Sequence, residues 1–238
     1  MFDPFSFKLM KPLVLPVMLV LDVPARAFGA RLDNLNGAIG NMVRQLKDKE
    51  TPSIEVQFSI LRYGDSKAKL ERFTPISQYA FSDLSPGDNN GGDVVWALGQ
   101  AGKAISEFER THDNVVAPAV ALVGMRPSPR VVKTPFSGIP ADQCDRYALT
   151  VCVETESCRD AYTSFLDGTG RELYTAWDGA YKKSGGVSSL NGNGINWFIS
   201  RIADRISARI RAGGLVDAMP GGPASSRTSG GVPEELYI

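Results

Sequence analysis

The run Leu13–Val23, LVLPVMLVLDV, constrains the fold more than any other stretch of this chain. A strand exposed on one face would alternate apolar and polar residues. This one is apolar almost throughout, so both of its faces have to be covered, as for an inner strand of a parallel or mixed sheet. It ends on Asp22 and is stopped by Pro24. In open α/β sheets the site lies just beyond the carboxyl ends of such strands.

The rest of the sequence supplies covering elements at regular intervals. Leu32, Leu35, Ile39, Met42, Val43 and Leu46 recur at three- and four-residue steps, which predicts a helix with one apolar face and a charged end from Lys47 to Pro52. Ile54, Val56, Phe58 and Ile60 alternate with Glu55, Gln57 and Ser59, the pattern of a half-buried strand ending near Tyr63. A turn at Gly64–Ser66 then returns Lys69–Pro75 as an antiparallel edge strand. The turn-rich PGDNNGG of Pro86–Gly92 leads into Asp93, a suitable helix N-cap, and a helix whose apolar face is Val94, Val95, Leu98, Ala101, Ile105 and Phe108.

Val115–Val123 and Tyr147–Val153 read as two further inner strands, Ser157–Leu166 as a helix and Glu172–Trp177 as a short last strand. Asp178–Gly194 has loop composition, and Ile195, Phe198, Ile199, Ile202, Ile206 and Ile210 mark a closing helix. Its arginines, Arg201, Arg205, Arg209 and Arg211, are expected mostly on a solvated face. Strands alternating with helices imply crossover connections. The predicted fold is α/β: a doubly wound, mainly parallel central sheet of Rossmann-like type, with one antiparallel edge strand and helices on both faces. Residues 1–12 form a lead-in, 13–212 the domain, and 213–238 a Gly/Pro/Ser-rich tail that reads as flexible.

Composition narrows the function. Lys plus Arg equals Asp plus Glu at 26 each, so no general basic field draws the chain to nucleic acid. The apolar run at Leu13–Leu21 is broken by Pro16 and is roughly half of what a bilayer requires, and no secretory signal stands before it. A soluble cytoplasmic protein is expected, with no nucleic-acid or membrane partner. Cys144, Cys152 and Cys158 are unevenly spaced for a disulfide framework or a zinc site and read as reduced thiols. His112 is the single histidine and reads as a surface residue, which leaves nucleophile and base schemes little to work with. The PGDNNGG turn lacks the Lys and spacing of a phosphate-binding loop. Trp96, Trp177 and Trp197 read as core or interface anchors.

The order of segments resembles a von Willebrand factor A domain, with spacing similar to the TerY-like bacterial branch found in tellurite-resistance and stress gene clusters. The resemblance rests on LPVMLVLDV, DNLNGAIGNMVRQL, IEVQFSILRYGD, GGDVVWALGQA, VAPAVALVGMRP and NWFISRIADRIS, and covers roughly residues 13 to 210. In that family a divalent cation, usually Mg²⁺, is held by Asp-x-Ser-x-Ser after the first strand, a Thr at a Gly-Gly-Thr turn and an Asp after the fourth strand. Asp22 matches the first aspartate, but Pro24 and Arg26 replace the serines, Asp93 the threonine and Gly124 the later aspartate. A guanidinium where a hard cation would sit repels it and cannot deprotonate.

The resemblance therefore implies a non-enzymatic protein-interaction module with a degenerate metal site, no cofactor, and Arg26 pairing with Asp22 or Asp93 in place of the ion. The expected partner-binding residues are Asp22, Pro24, Arg26, Phe28, Asp88, Asn89, Asp93, Met125 and Arg126, on the loop face at the carboxyl ends of the strands. One alternative is a Mg²⁺-dependent domain in which Asp22, Asp93 and a partner carboxylate complete the cation shell. Another is a hydrolase or nucleotide-using enzyme on the same α/β frame.

Overall fold

A computed structural model describes residues 11–25, 30–64, 69–88, 93–124, 143–151, 162, 164–166, 174–176 and 193–213. In chain order the elements are β1 (Leu13–Asp22), α1 (Ala30–Lys49), β2 (Ile54–Tyr63), β3 (Lys69–Leu70), β4 (Thr74–Pro75), α2 (Val94–Thr111), β5 (Ala119–Gly124), β6 (Asp145–Val151), β7 (Tyr174–Ala176) and α3 (Asn193–Arg211). Tyr162 and Ser164–Leu166 are also helical.

The strands form one sheet in the order β3-β2-β1-β5-β6-β7, with β4 also on β2. Strands β2, β1, β5, β6 and β7 pair in parallel, and β3 and β4 pair antiparallel with β2. This is the predicted doubly wound sheet with an antiparallel edge, except that the edge comes in two short pieces. The alternation of β1 sorts its side chains between two cores. Leu15, Val17, Leu19, Leu21 and Val23 pack with the apolar faces of α1 and α3. Met18 and Val20 pack on the other side with α2 and with Tyr162, Phe165 and Leu166. Helices thus cover both faces, which is why β1 reads as continuously apolar.

A proline inside a central strand needs an explanation, because it removes a ladder donor. Val14 N donates to Asn114 O, so the donors of even-numbered β1 residues point toward β5. Pro16 therefore turns its missing N–H to the β5 side. There the ladder is interrupted, between the isolated Val14–Val115 bridge and the pairing that starts at Val17–Ala119.

Several expectations need correction. β5 starts at Ala119 rather than Val115, and Pro118, which has no N–H, stands immediately before it. β6 spans Asp145–Val151 and β7 Tyr174–Ala176, close to the predicted runs. Asn193 and Gly194 belong to α3 rather than to the preceding loop. β2 is not half-buried. Ile54, Val56, Phe58 and Ile60 enter the α1/α3 core, while on its other face Leu61 and Tyr63 enter the α2 core. Gln57 and Ser59 are buried too, and Ser59 Oγ donates to Glu71 O at 2.8 Å where the returning chain covers the edge.

Arg209 is not solvated. It is 5% exposed, pairs with Asp145 at 3.1 Å, and also donates to Ala117 O, which fixes the end of α3 to the amino-terminal side of β5 and β6. Trp96 and Trp197 are exposed rather than core residues. Trp177, Cys152, Cys158, most of the 157–166 helix and the lead-in up to residue 10 lie outside the described residues, as does the tail beyond residue 213.

Candidate functional site at the carboxyl end of the sheet

Three parallel strands converge where β1 ends. Asp22 stands opposite Tyr63 of β2, and Leu21 opposite Val123 of β5, so Asp22 and Gly124 close adjacent strands at one level. Asp22 is buried at 1% exposure. The chain leaves β2 through Gly64, whose φ of +105° is a conformation that side-chain-bearing residues rarely adopt. A Cβ there would lie 2.9 Å from the carbonyl of Val23 and 3.1 Å from Asp22 Oδ1. Glycine at 64 therefore makes the turn and leaves room for the Asp22 carboxylate.

Gly124 is tighter still. A Cβ at this position would lie 1.9 Å from the Tyr162 hydroxyl oxygen and 2.5 Å from the ring carbon that carries it. Tyr162 is 1% exposed and is among the largest fully buried side chains. Its phenol fills the volume into which any side chain at 124 would project.

Asp93 has a definite local task. Its backbone is extended, with φ −104° and ψ 109°, and its Oδ1 accepts from Val95 N at 2.9 Å and Trp96 N at 3.4 Å. This is the expected N-cap of α2, where a carboxylate also complements the positive end of the helix dipole. Pro24 is buried beside Val23, and Asp88 is exposed. Arg26, Phe28, Asn89, Met125 and Arg126 lie outside the described residues, so the expected Arg26 pairing does as well.

At three of the family's cation-ligand positions the described residues place other groups. Mg²⁺ requires near-octahedral oxygen ligation. Position 124 has no room for a carboxylate, Pro24 offers no hydroxyl, and one Asp93 oxygen is occupied by two amides. Among the described residues, no three His, Cys, Asp or Glu side chains are grouped so as to hold a metal.

No protein-family model matches this sequence, and no curated protein matches it. Solved structures do match. The von Willebrand domain of the type V pili tip protein Mfa5 from Porphyromonas gingivalis superposes with a TM-score of 0.51 at 12% identity, over 87% of this chain and 99% of that one. The fold is that of a von Willebrand factor A domain. The pilus adhesin SpaC from Lactobacillus rhamnosus GG, in its open conformation, gives a TM-score of 0.54 at 9% identity over 84% of this chain and 30% of SpaC. Proximal thread matrix protein 1 from the mussel byssus matches at 10% identity and a TM-score of 0.49, over 81% of this chain. This chain spans 48% of the byssus protein's length.

Sequence reasoning located Asp22, Asp93 and the end of the sheet. It missed Tyr162, whose segment carried only a helical pattern, with nothing to say that its ring reaches across to β5. It also missed Gly64 as more than a turn residue, although a glycine directly after a predicted strand was an available signal. His112 lies where it was expected, exposed at the end of α2, with its ring stacked on Phe108 at 3.9 Å. Among the described residues, no helix is long and apolar enough to cross a membrane.

Proposed function

We propose that this chain is a non-enzymatic protein-interaction module of the von Willebrand A type that works without a metal ion. It engages its partner through the loop face around Asp22, Pro24, Asp88 and Asp93, together with Arg26, Phe28, Asn89, Met125 and Arg126. The observation that carries the reading is the Tyr162 phenol at Gly124, because it occupies the space of a family ligand instead of merely leaving that ligand out. Mfa5 and SpaC, a pilus tip protein and a pilus adhesin, are in keeping with a binding role. The sequence resemblance supports a TerY-like, stress-cluster setting, and the apolar run broken at Pro16 supports a cytoplasmic one.

Isothermal titration with Mg²⁺ and Mn²⁺ tests the reading. The expected result is no saturable binding, together with a partner pull-down that is insensitive to chelator. Micromolar cation binding that disappears in Asp22→Ala would overturn it in favour of a cation shell completed by a partner carboxylate.

A further inference from the structure

Away from the sheet end, α1 and α3 run side by side and leave a cavity of about 340 Å³ between them. Met42, 1% exposed, forms its floor, and Trp197, 38% exposed, stands at its edge. Asn41, Gln45, Asn196 and Ser200 also line it. Among the described residues, none that lines the cavity is ionisable. The neighbouring charges are tied to the lining: Arg44 donates to Asn41 Oδ1, Gln45 Nε2 donates to Asp204 Oδ1 at 2.8 Å, and the Arg201 guanidinium lies over the Trp197 ring at 5.6 Å. The amides and the indole are therefore held in place before any ligand arrives, which reduces the ordering cost of binding.

We propose that this groove is a binding site for a neutral saccharide of one or two pyranose rings. Each carboxamide carries both donors and an acceptor, as each sugar hydroxyl does, so Asn41, Gln45, Asn196 and Ser200 match a polyol without any net charge. The indole is large and apolar with negative quadrupole density on its faces, and the face that Arg201 does not cover suits the C–H face of a pyranose ring. The cations beside the groove, Arg44 and Arg201, are engaged on Asn41 and on the Trp197 ring, and no described lining residue adds another, so the lining favours a neutral ligand over a phosphorylated or acidic one. Size decides against an extended peptide. Asn41 to Gln45 is about one helical turn, and so is Asn196 to Ser200, so the polar lining is only about 6 Å long on each helix. At roughly 3.3 Å per residue, a peptide would run past it after about two residues. The cavity is at the lower end of the about 300–1,000 Å³ usual for small-ligand sites.

The test titrates the intact chain with maltose, cellobiose and N,N′-diacetylchitobiose. It follows the indole N–H resonances by two-dimensional NMR, with the Trp197 signal assigned by its loss in Trp197→Phe. Saturable movement of that signal with at least one sugar is expected. The affinity should fall by about tenfold or more in Trp197→Ala and, separately, in Gln45→Ala, with both variants shown to be folded by circular dichroism. Three results would overturn the proposal: no shift with any of the three sugars at 20 mM (roughly the weakest affinity worth assigning), binding that survives Trp197→Ala, or a response to the peptide acetyl-Ala-Asn-Leu-Ala-amide while the sugars stay silent.

Discussion

The hydroxyl of Tyr162 lies 1.9 Å from the point where a Cβ on Gly124 would be, although one residue ends β5 and the other belongs to a helical segment packed against α2. Glycine at 124 and tyrosine at 162 are two halves of a single packing solution. A change at either is felt at the other.

Gly124→Ala should therefore destabilise the domain by about 1–3 kcal/mol, the usual cost of forcing extra volume into a filled core. A flexible surface side chain could move aside cheaply, but Tyr162 is 1% exposed and has no empty space to enter. Urea denaturation of Gly124→Ala, Tyr162→Leu and the pair measures this. The double variant should be less destabilised than the sum of the singles. Strict additivity would show that the two positions do not meet.

Asp93 should be replaceable by another capping residue and by little else. Asp93→Ala leaves the Val95 and Trp96 amides without their acceptor and should cost about 0.5–2 kcal/mol. Asp93→Ser should retain most of the stability. If partner capture is lost in Asp93→Ser while the melting temperature holds, the carboxylate has a recognition role beyond the cap.

The ion pair between Arg209 and Asp145 is buried at both ends. Arg209→Met leaves the Asp145 carboxylate without its cation and should cost about 3–5 kcal/mol. Replacing both residues with apolar ones of similar volume should recover much of that, since the desolvation penalty disappears together with the attraction. Denaturant midpoints of the two single variants and the double variant provide the comparison.

Alkaline pH should weaken the fold. Burial pushes the Cys144 thiol up to about 12 from an ordinary 9.0, against the opposing pull of Arg146. Burial, followed by the hydrogen bond to Glu71, also raises Tyr79 above its ordinary 10.0. Both groups stay protonated in the folded chain while their unfolded counterparts ionise. Their stabilising contribution is complete below the unfolded values and is lost as pH rises from about 9 upward. Urea midpoints between pH 8 and 10.5 should fall, and Cys144→Ala should flatten the first part of that fall. In native protein at pH 8, alkylation mapped by mass spectrometry should find Cys144 unreactive.

The parts legible in the sequence were those where one local pattern meets one environment. The two-sided burial of β1, the apolar faces of α1, α2 and α3, and the Asp93 cap each follow from spacing alone, and each is found. The failures are places where a distant element decides. The alternation of β2 implied a wet face until the return through Glu71 and Phe73 covered it. Arg209 resembles its solvated neighbours on α3 until β6 places Asp145 beside it. At the site, the substitution of glycine at 124 was visible in the sequence. That a buried phenol takes the vacated volume was not, because no spacing links 124 to 162.

The central position of β1 has a consequence for synthesis. Its first neighbour, β2, follows within one helix, but its second, β5, lies about a hundred residues further along, as the Leu19–Ala121 pairing shows. On a ribosome adding about 5–20 residues per second, β1 waits on the order of ten seconds with one hydrogen-bonding edge and an apolar flank uncovered. A long wait in the biogenesis of this chain thus falls on its most apolar strand, and nascent chains stalled before Ala119 are species that should need a chaperone.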